Sequence, residues 1–491
     1  MVVGEFTASS IANEQDRLEE DQREKLKTSK VDYAKLDSDV AALKLLAAKG
    51  NLAEALEGLL NLEKQHRLGE DATATKAACA AILEVLFKAK DWKALNEHIV
   101  LLAKRRSQLK QVVQAFVRQA MGYVDQAPDK ETRVELIKTL QTVTEGKIYV
   151  EIERARLTRR LAGIWEEEGK IDEAADTLQE VAVETFGAMA KTEKIFYILE
   201  QVRLCLDRKD FIRAQILAKK VSPRAFVEQP NKKGQATGEV GIEGTTIEAP
   251  DAGTPTLEEL KLRYYELLIR YHEHQDAYLE ICRCYKAIAA MPSVAEDAKR
   301  AATVLRKICW FVVLAPTSSD QVTLLTDAAA TKALEELPAY KDLLQAFITP
   351  EVVWWGVFSK RYADEMAAQE DVFGGPGGAA RLKALRLRVT EHNVLVVAKY
   401  YSRLTLARLA ELLDLPVEEA EERLSEMVVA GAVTAKINRP AGIVRFALRR
   451  APAEHLNGWA ANIRRLLEVV ERATQDIQKE SMVHKVPIGV A

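Results

Sequence analysis

Cysteine, histidine and aromatic side chains are scarce in this sequence: 491 residues hold 5 Cys, 7 His and 6% Phe, Trp and Tyr. The cysteines (Cys79, Cys205, Cys282, Cys284, Cys309) are odd in number and scattered. They exclude a disulfide framework and read as reduced thiols of an intracellular protein. Long apolar runs are missing too. The two longest, ICWFVVLA (308–315) and VVWWGVF (352–358), are far shorter than the roughly 20 residues a membrane span needs. The first thirty residues show no basic start leading into an apolar stretch, so no signal peptide is expected. Neither charge is in excess, with 70 Lys and Arg against 73 Asp and Glu and a net charge of -3. A general nucleic-acid binder carries a strongly basic surface that displaces counterions from phosphate, and this composition lacks one. The expectation is a protein of the cytoplasm and nucleus, with no membrane and no nucleic acid among its partners.

Catalytic motifs are equally thin. GxSxG, HExxH and GxxxxGK[ST] do not occur, and the glycine cluster at 374–380 has neither a preceding strand nor a phosphate-loop lysine. One constellation stands out, His272, His274, Cys282 and Cys284 in YHEHQDAYLEICRCY. On a helix, residues two apart point to opposite sides, so neither the HxH nor the CxC pair can chelate. The HxH-x7-S-x2-D signature of JAMM-type metalloproteases fails as well, because Cys282 replaces the Ser and Tyr285 the Asp ligand. Without that third ligand a catalytic zinc is not credible. No catalytic residue, metal or cofactor is expected, and the chain reads as non-enzymatic.

What the sequence does contain is helix. From about residue 43 to 358, Leu, Ala, Glu, Lys and Arg dominate and apolar residues recur at three-four spacing. A turn followed by an apolar anchor repeats: KGNL ends at Leu52, AKDW at Trp92, EGKI at Ile171 and RKDF at Phe211, at intervals of 40, 79 and 40 residues. The long interval holds two periods, with the missing turn expected at APDKETRVEL (127–136). A period near 40 predicts an α-solenoid of helix pairs, none of which buries its apolar face alone. The fold class is therefore all-α dominated: a solenoid, then a winged-helix domain with a small β-wing, then a long C-terminal helix. The predicted parts are a polar segment at 1–40, the solenoid at 41–226, a disordered Gly/Thr/Pro-rich insertion at 227–256, further helices at 257–380, the winged helix at 381–450 and the terminal helix at 453–485.

The winged helix rests on YYSRLTLARLAELLDLPVEEAEERLSEMVVAGAVTAKI (400–437), which reads helix 405–414, a break at Leu415-Pro416, helix 417–430 and strands at 432–438 and 443–448. Its second helix carries Glu418, Glu419, Glu421, Glu422 and Glu426 against Arg423, a net charge of -4 where a DNA reader needs cations. Val417, Ala420, Leu424, Met427 and Val428 form the stripe expected to pack inward. RLKALRLR (381–388), Arg439, Arg445, Arg449 and Arg450 are basic and keep a nucleic-acid-binding regulator open as an alternative. In the terminal helix, Leu456, Trp459, Ile463, Leu466, Val470, Ala473 and Ile477 step by 3 and 4, a seam of three heptads. It either folds back on its own winged helix or joins helices of other chains.

This order of parts resembles the PCI-domain proteins, the scaffolds of the proteasome lid, the COP9 signalosome and translation initiation factor three. KIYVEIERARLT (147–158), ILEQVRLCL (198–206), ELPAYKDLL (336–344), VTEHNVLVVAKYYSRLTLARLAELLDL (389–415) and RPAGIVRF (439–446) look like the non-ATPase lid subunits of the 26S proteasome. The insertion is longer than that family leads one to expect, and Pro416 stands where a Ser or Thr cap is usual, which a helix start tolerates. The resemblance implies a non-catalytic scaffold in a hetero-oligomer that serves ATP-dependent degradation of ubiquitinated proteins. Its implied partners are the other lid PCI subunits, the lid deubiquitinase, the core particle and the ATPase base. A scaffold of the COP9 signalosome is the alternative. The implied partner-binding residues are the seam (Leu456, Trp459, Ile463, Leu466, Val470, Ile477) and, on the wing edge, Val433 and Ile437.

Overall fold

At the four predicted turns with an apolar anchor the backbone enters the left-handed region for one residue, two positions before the anchor: Gly50 (φ 101), Lys90 (φ 57), Gly169 (φ 76) and Lys209 (φ 66). The following amide closes the end of the preceding helix, as in Asp91 N–H to Leu86 C=O (3.3 Å) and Asp210 N–H to Cys205 C=O (2.8 Å). This C-terminal closure favours glycine, which takes a positive φ without strain. A Cβ added at Gly169 would meet nothing within 4 Å, so any effect of substitution there is conformational. Gly169→Ala should therefore cost about 1 kcal/mol, read as a lower urea midpoint.

The computed structural model describes residues 33–226, 247–375, 377–446 and 452–485. Residues 1–32 of the polar segment, insertion residues 227–246 and wing residues 447–450, with Arg449 and Arg450, lie outside them, while residues 33–40 of that segment are helical. Two compact units divide between Tyr271 and His272. In the first, α1 (Tyr33–Ala48), α2 (Leu52–Leu68), α3 (Ala72–Lys88), α4 (Trp92–Lys104), α5 (Lys110–Val124), α6 (Lys130–Thr144), α7 (Glu151–Glu167), α8 (Ile171–Gln179), α9 (Lys191–Asp207) and α10 (Phe211–Lys220) alternate with short turns. Leu52, Trp92, Ile171 and Phe211 each open a helix, and the missing member opens at Lys130, giving intervals of 40, 38, 41 and 40 residues.

Stacking, not pairing alone, builds the core. One cluster of buried side chains runs from Leu36 to Ile164 and a second from Ile152 to Tyr271. Helix α7 serves both, giving Leu157, Leu161 and Ile164 to the first and Ile152, Ala155 and Ala162 to the second. Polar contacts repeat at the same period. Lys44 bonds Glu84 (2.6 Å, 40 residues on), Gln119 bonds the Ala80 carbonyl (3.0 Å, 39 residues back) and Arg203 bonds Glu166 (2.6 Å, 37 residues back). The sequence places residues 247–256 in a structureless loop; the structure instead holds them against the solenoid. Glu248 N–H donates to the Ala188 carbonyl (2.9 Å) and Arg156 donates to the Ala249 carbonyl (3.1 Å). Composition missed this because charge-assisted bonds, not apolar burial, order the segment.

After α11 (Leu257–His274), the second unit continues through α12 (Tyr278–Ala289), α13 (Pro292–Ala295), α14 (Ala298–Leu314), α15 (Ser319–Ala329), α16 (Pro338–Ile348), α17 (Trp355–Arg361), α18 (Ala363–Ala368), α19 (Glu370–Phe373) and α20 (Gly378–Tyr400). The run 308–315, the last two turns of α14 and its cap, is buried throughout, so that end of the helix is apolar on every side. Trp310 packs edge-on against Tyr340, Tyr362 and Phe373.

The winged helix follows as β1 (Arg403–Thr405), α21 (Leu406–Leu413), α22 (Val417–Val429), β2 (Ala435–Asn438) and β3 (Ile443–Phe446), then α23 (Pro452–His484). Thr405 caps α21 by accepting from Arg408 N–H (3.3 Å), and Asp414 ends it at φ 56. Pro416 precedes α22 in extended backbone (φ -60, ψ 150). The sheet order is β1-β3-β2, antiparallel, with Leu404 opposite Val444 and Ile437 opposite Val444.

Candidate interaction surfaces

Three elements carry the residues expected to meet partners: α22, the wing and α23. On α22, Ala420, Leu424 and Met427 are buried and Val428 half-buried in the winged-helix core. Val417, placed in the same stripe by the sequence, opens the helix and is 44% exposed. Glu418, Glu422 and Glu426 face solvent, as the pattern predicts. Glu421 is paired with Arg439, and Glu426 with Arg423 (2.8 Å). The face that would approach a DNA groove is acidic.

Of the basic residues that left nucleic acid open, Arg381, Arg388 and Arg439 are engaged elsewhere, whereas Lys383 and Arg386 are exposed. Arg381 is buried; it donates to the Val372 carbonyl (2.8 Å) and reaches Glu273 (3.1 Å). Arg388 pairs with Glu391 (2.8 Å). Arg445 is exposed, and the register sets it opposite both Arg403 and Lys436, also exposed. Like charges directly opposed across strands are unfavourable in isolation. This three-cation row on the sheet therefore suits an acidic neighbour.

The wing needs correction. Val433 is 6% exposed and belongs to the domain core, and Ile437 is half-buried against it. Neither side chain forms an outward surface: Val433, in the bend before β2, and Ile437, on β2, both pack into the winged-helix core. Of the two strands expected over 432–438 and 443–448, β3 is central, between β1 and β2, and β2 is at the edge. The pairing with β3 uses one edge of β2, and the other edge of β2 is a sheet edge.

Helix α23 differs in kind. Leu456, Trp459, Ile463, Leu466, Val470 and Ile477 are 53–67% exposed, and of residues 456–485 all but Ser481 are exposed. The seam does not fold back on its own winged helix. Leu467 and Val469, also about 60% exposed, flank it. The three-four count passed over these two, and they widen the stripe beyond a two-stranded seam, as helices packed in a bundle require.

The His/Cys constellation is divided between two helices: His272 and His274 end α11, whereas Cys282 and Cys284 lie buried on α12. Burial pushes the thiols of Cys282, Cys284, Cys309 and Cys79 up to about 12, so they are inert at neutral pH. Among the described residues no group of three or more His, Cys, Asp or Glu could hold a metal, and no helix is long and apolar enough to cross a membrane.

Comparison with known proteins matches each of these parts. The family model described as PSMD12/CSN4, N-terminal, covers residues 54–237 and 250–297; PCI domain covers 359–447; and 26S proteasome regulatory subunit RPN5 C-terminal domain covers 454–485. The chain is 55% identical to 26S proteasome non-ATPase regulatory subunit 12 homolog A of Arabidopsis thaliana, over 89% of this chain and 98% of that one. It is 35% identical to 26S proteasome regulatory subunit RPN5 of Saccharomyces cerevisiae over 93% and 95%. COP9 signalosome complex subunit 4 of Drosophila melanogaster is more distant, at 22% over 78% and 83%. With its solenoid, winged helix and terminal helix all matched, the chain belongs to the 26S proteasome non-ATPase regulatory subunit 12 (RPN5) family of PCI-domain proteins.

Proposed function

We propose that the chain works as a non-catalytic scaffold of the proteasome lid, joined to neighbouring PCI subunits by its wing and to their helices by α23. The observation that carries this reading is the wide apolar stripe of α23, over half exposed at Leu456, Trp459, Ile463, Leu466, Val470 and Ile477. Exposed apolar surface of that extent on one helix is satisfied by other helices. Acidic α22 and the cationic row of the sheet lie on one small module, so like modules can meet acid to base. The deubiquitinase, the core particle and the ATPase base are the further partners of this reading, in cytoplasm and nucleus. Identity of 55% to a proteasome subunit against 22% to a signalosome subunit favours the proteasome over the COP9 complex. A DNA-reading role has the acidic α22 against it.

Deleting residues 456–484 should leave a folded chain that no longer enters the lid, seen on native gels as free subunit and a lid arrested before completion. Normal lid assembly by the truncated chain would refute the proposal. Affinity purification with mass spectrometry should recover lid subunits in preference to signalosome subunits.

A further inference from the structure

Residues 248–251 lie across three arginines of the solenoid. Glu248 accepts from Gln114 Nε2 (3.2 Å) and pairs with Arg118; Arg159 Nη2 reaches Asp251 (3.2 Å). Between them, Arg156 Nη2 donates to the Ala249 carbonyl (3.1 Å). Every residue of 247–256 is exposed or half-buried, so no apolar anchor fixes the segment. Ion pairs at that exposure hold weakly and are screened by salt.

The arginines, by contrast, are fixed from beneath by groups outside the segment. Arg118 Nε bonds the buried Glu153 (2.6 Å), and Arg156 bonds the buried Glu193 through two nitrogens (2.7 and 2.9 Å). Arg159 lies over the Phe196 ring (4.9 Å). The groove thus keeps its form whether or not 248–251 occupy it, and preorganised cations bind at lower entropic cost.

We propose that Arg118, Arg156 and Arg159 form a docking groove for an extended acidic segment of a partner protein, with two carboxylates three residues apart, and that Glu248 and Asp251 occupy it in cis. The bond from Arg156 to a backbone carbonyl selects a peptide over a free phosphate. The charge pattern selects Glu-x-x-Asp over a neutral strand.

The test uses the full chain and a fluorescein-labelled peptide of residues 246–254, TIEAPDAGT, followed by fluorescence anisotropy. Removing a tethered competitor exposes the site, so the Glu248→Gln/Asp251→Asn chain should bind the peptide about tenfold more tightly than the unmodified chain. Binding should weaken with added salt and vanish when Arg159→Gln is added. Arg159 holds no buried carboxylate, so that change leaves the repeat contacts in place, and circular dichroism checks the fold. Equal affinity of the peptide for both chains, or binding to neither, would overturn the proposal. If the double variant melts early, Asp251→Asn alone carries the same comparison.

Discussion

Replacing Ile463 and Val470 together by Asp should lower the affinity of the chain for its lid neighbours by roughly two to four orders of magnitude. Each aliphatic side chain is worth roughly 1.5–3 kcal/mol when fully buried, and each factor of ten in affinity is about 1.4 kcal/mol. The isolated chain should melt unchanged, because both residues are over half exposed in it (57% and 53%). Glu468→Gln, on the same helix away from the seam, supplies the comparison and should assemble normally. Co-purification of lid subunits with each variant measures the effect. Assembly of the double variant at unmodified levels would remove α23 as the attachment point.

The solenoid was legible because its turns impose local chemistry. A left-handed residue two positions before an apolar anchor is a backbone demand, and Gly50 and Gly169 meet it visibly. Lys90 and Lys209 meet it without glycine, so there the anchors Trp92 and Phe211 revealed the period instead. The α23 seam was legible for the converse reason. Among the described residues nothing covers residues 456–485 except in part at Ser481, so the three-four spacing alone sets the stripe. Val433 was misplaced because an alternating strand pattern gives two faces without saying which is inward. Sheet order decides that, and β1, three residues long, carries too little sequence to announce that it pairs with β3. The strap at 248–251 was hidden for a similar reason, since its partners lie up to 134 residues away in sequence.

Glu63→Gln should destabilise the N-terminal repeats by about 3–5 kcal/mol, the usual cost of leaving a buried ion pair half-made. Glu63 is fully buried on α2. It accepts from Arg67 Nε (3.1 Å) on the same helix and pairs with Arg105, which follows α4. Arg67 is itself buried and also donates to the Arg106 carbonyl, so the cluster ties one repeat to the next. Neutralising Glu63 leaves two guanidinium groups close together with no anion between them. The pattern is present in the sequence: Ala55, Leu59, Glu63 and Arg67 succeed one another at four-residue steps and all are buried, an acid and a base continuing an apolar stripe. A surface pair would be cheap to lose, at about 0.2–1 kcal/mol. Because solenoid repeats unfold in part, the change should appear as a loss of amide exchange protection of roughly two to three orders of magnitude in α2, α3 and α4. Distant helices such as α9 should be spared. Replacing all three residues by apolar ones of similar size (Glu63→Met, Arg67→Met, Arg105→Leu) should recover much of the loss, since the pair's desolvation cost disappears with its charges. A neutral outcome for Glu63→Gln would mean that stacked apolar surface alone holds these repeats together.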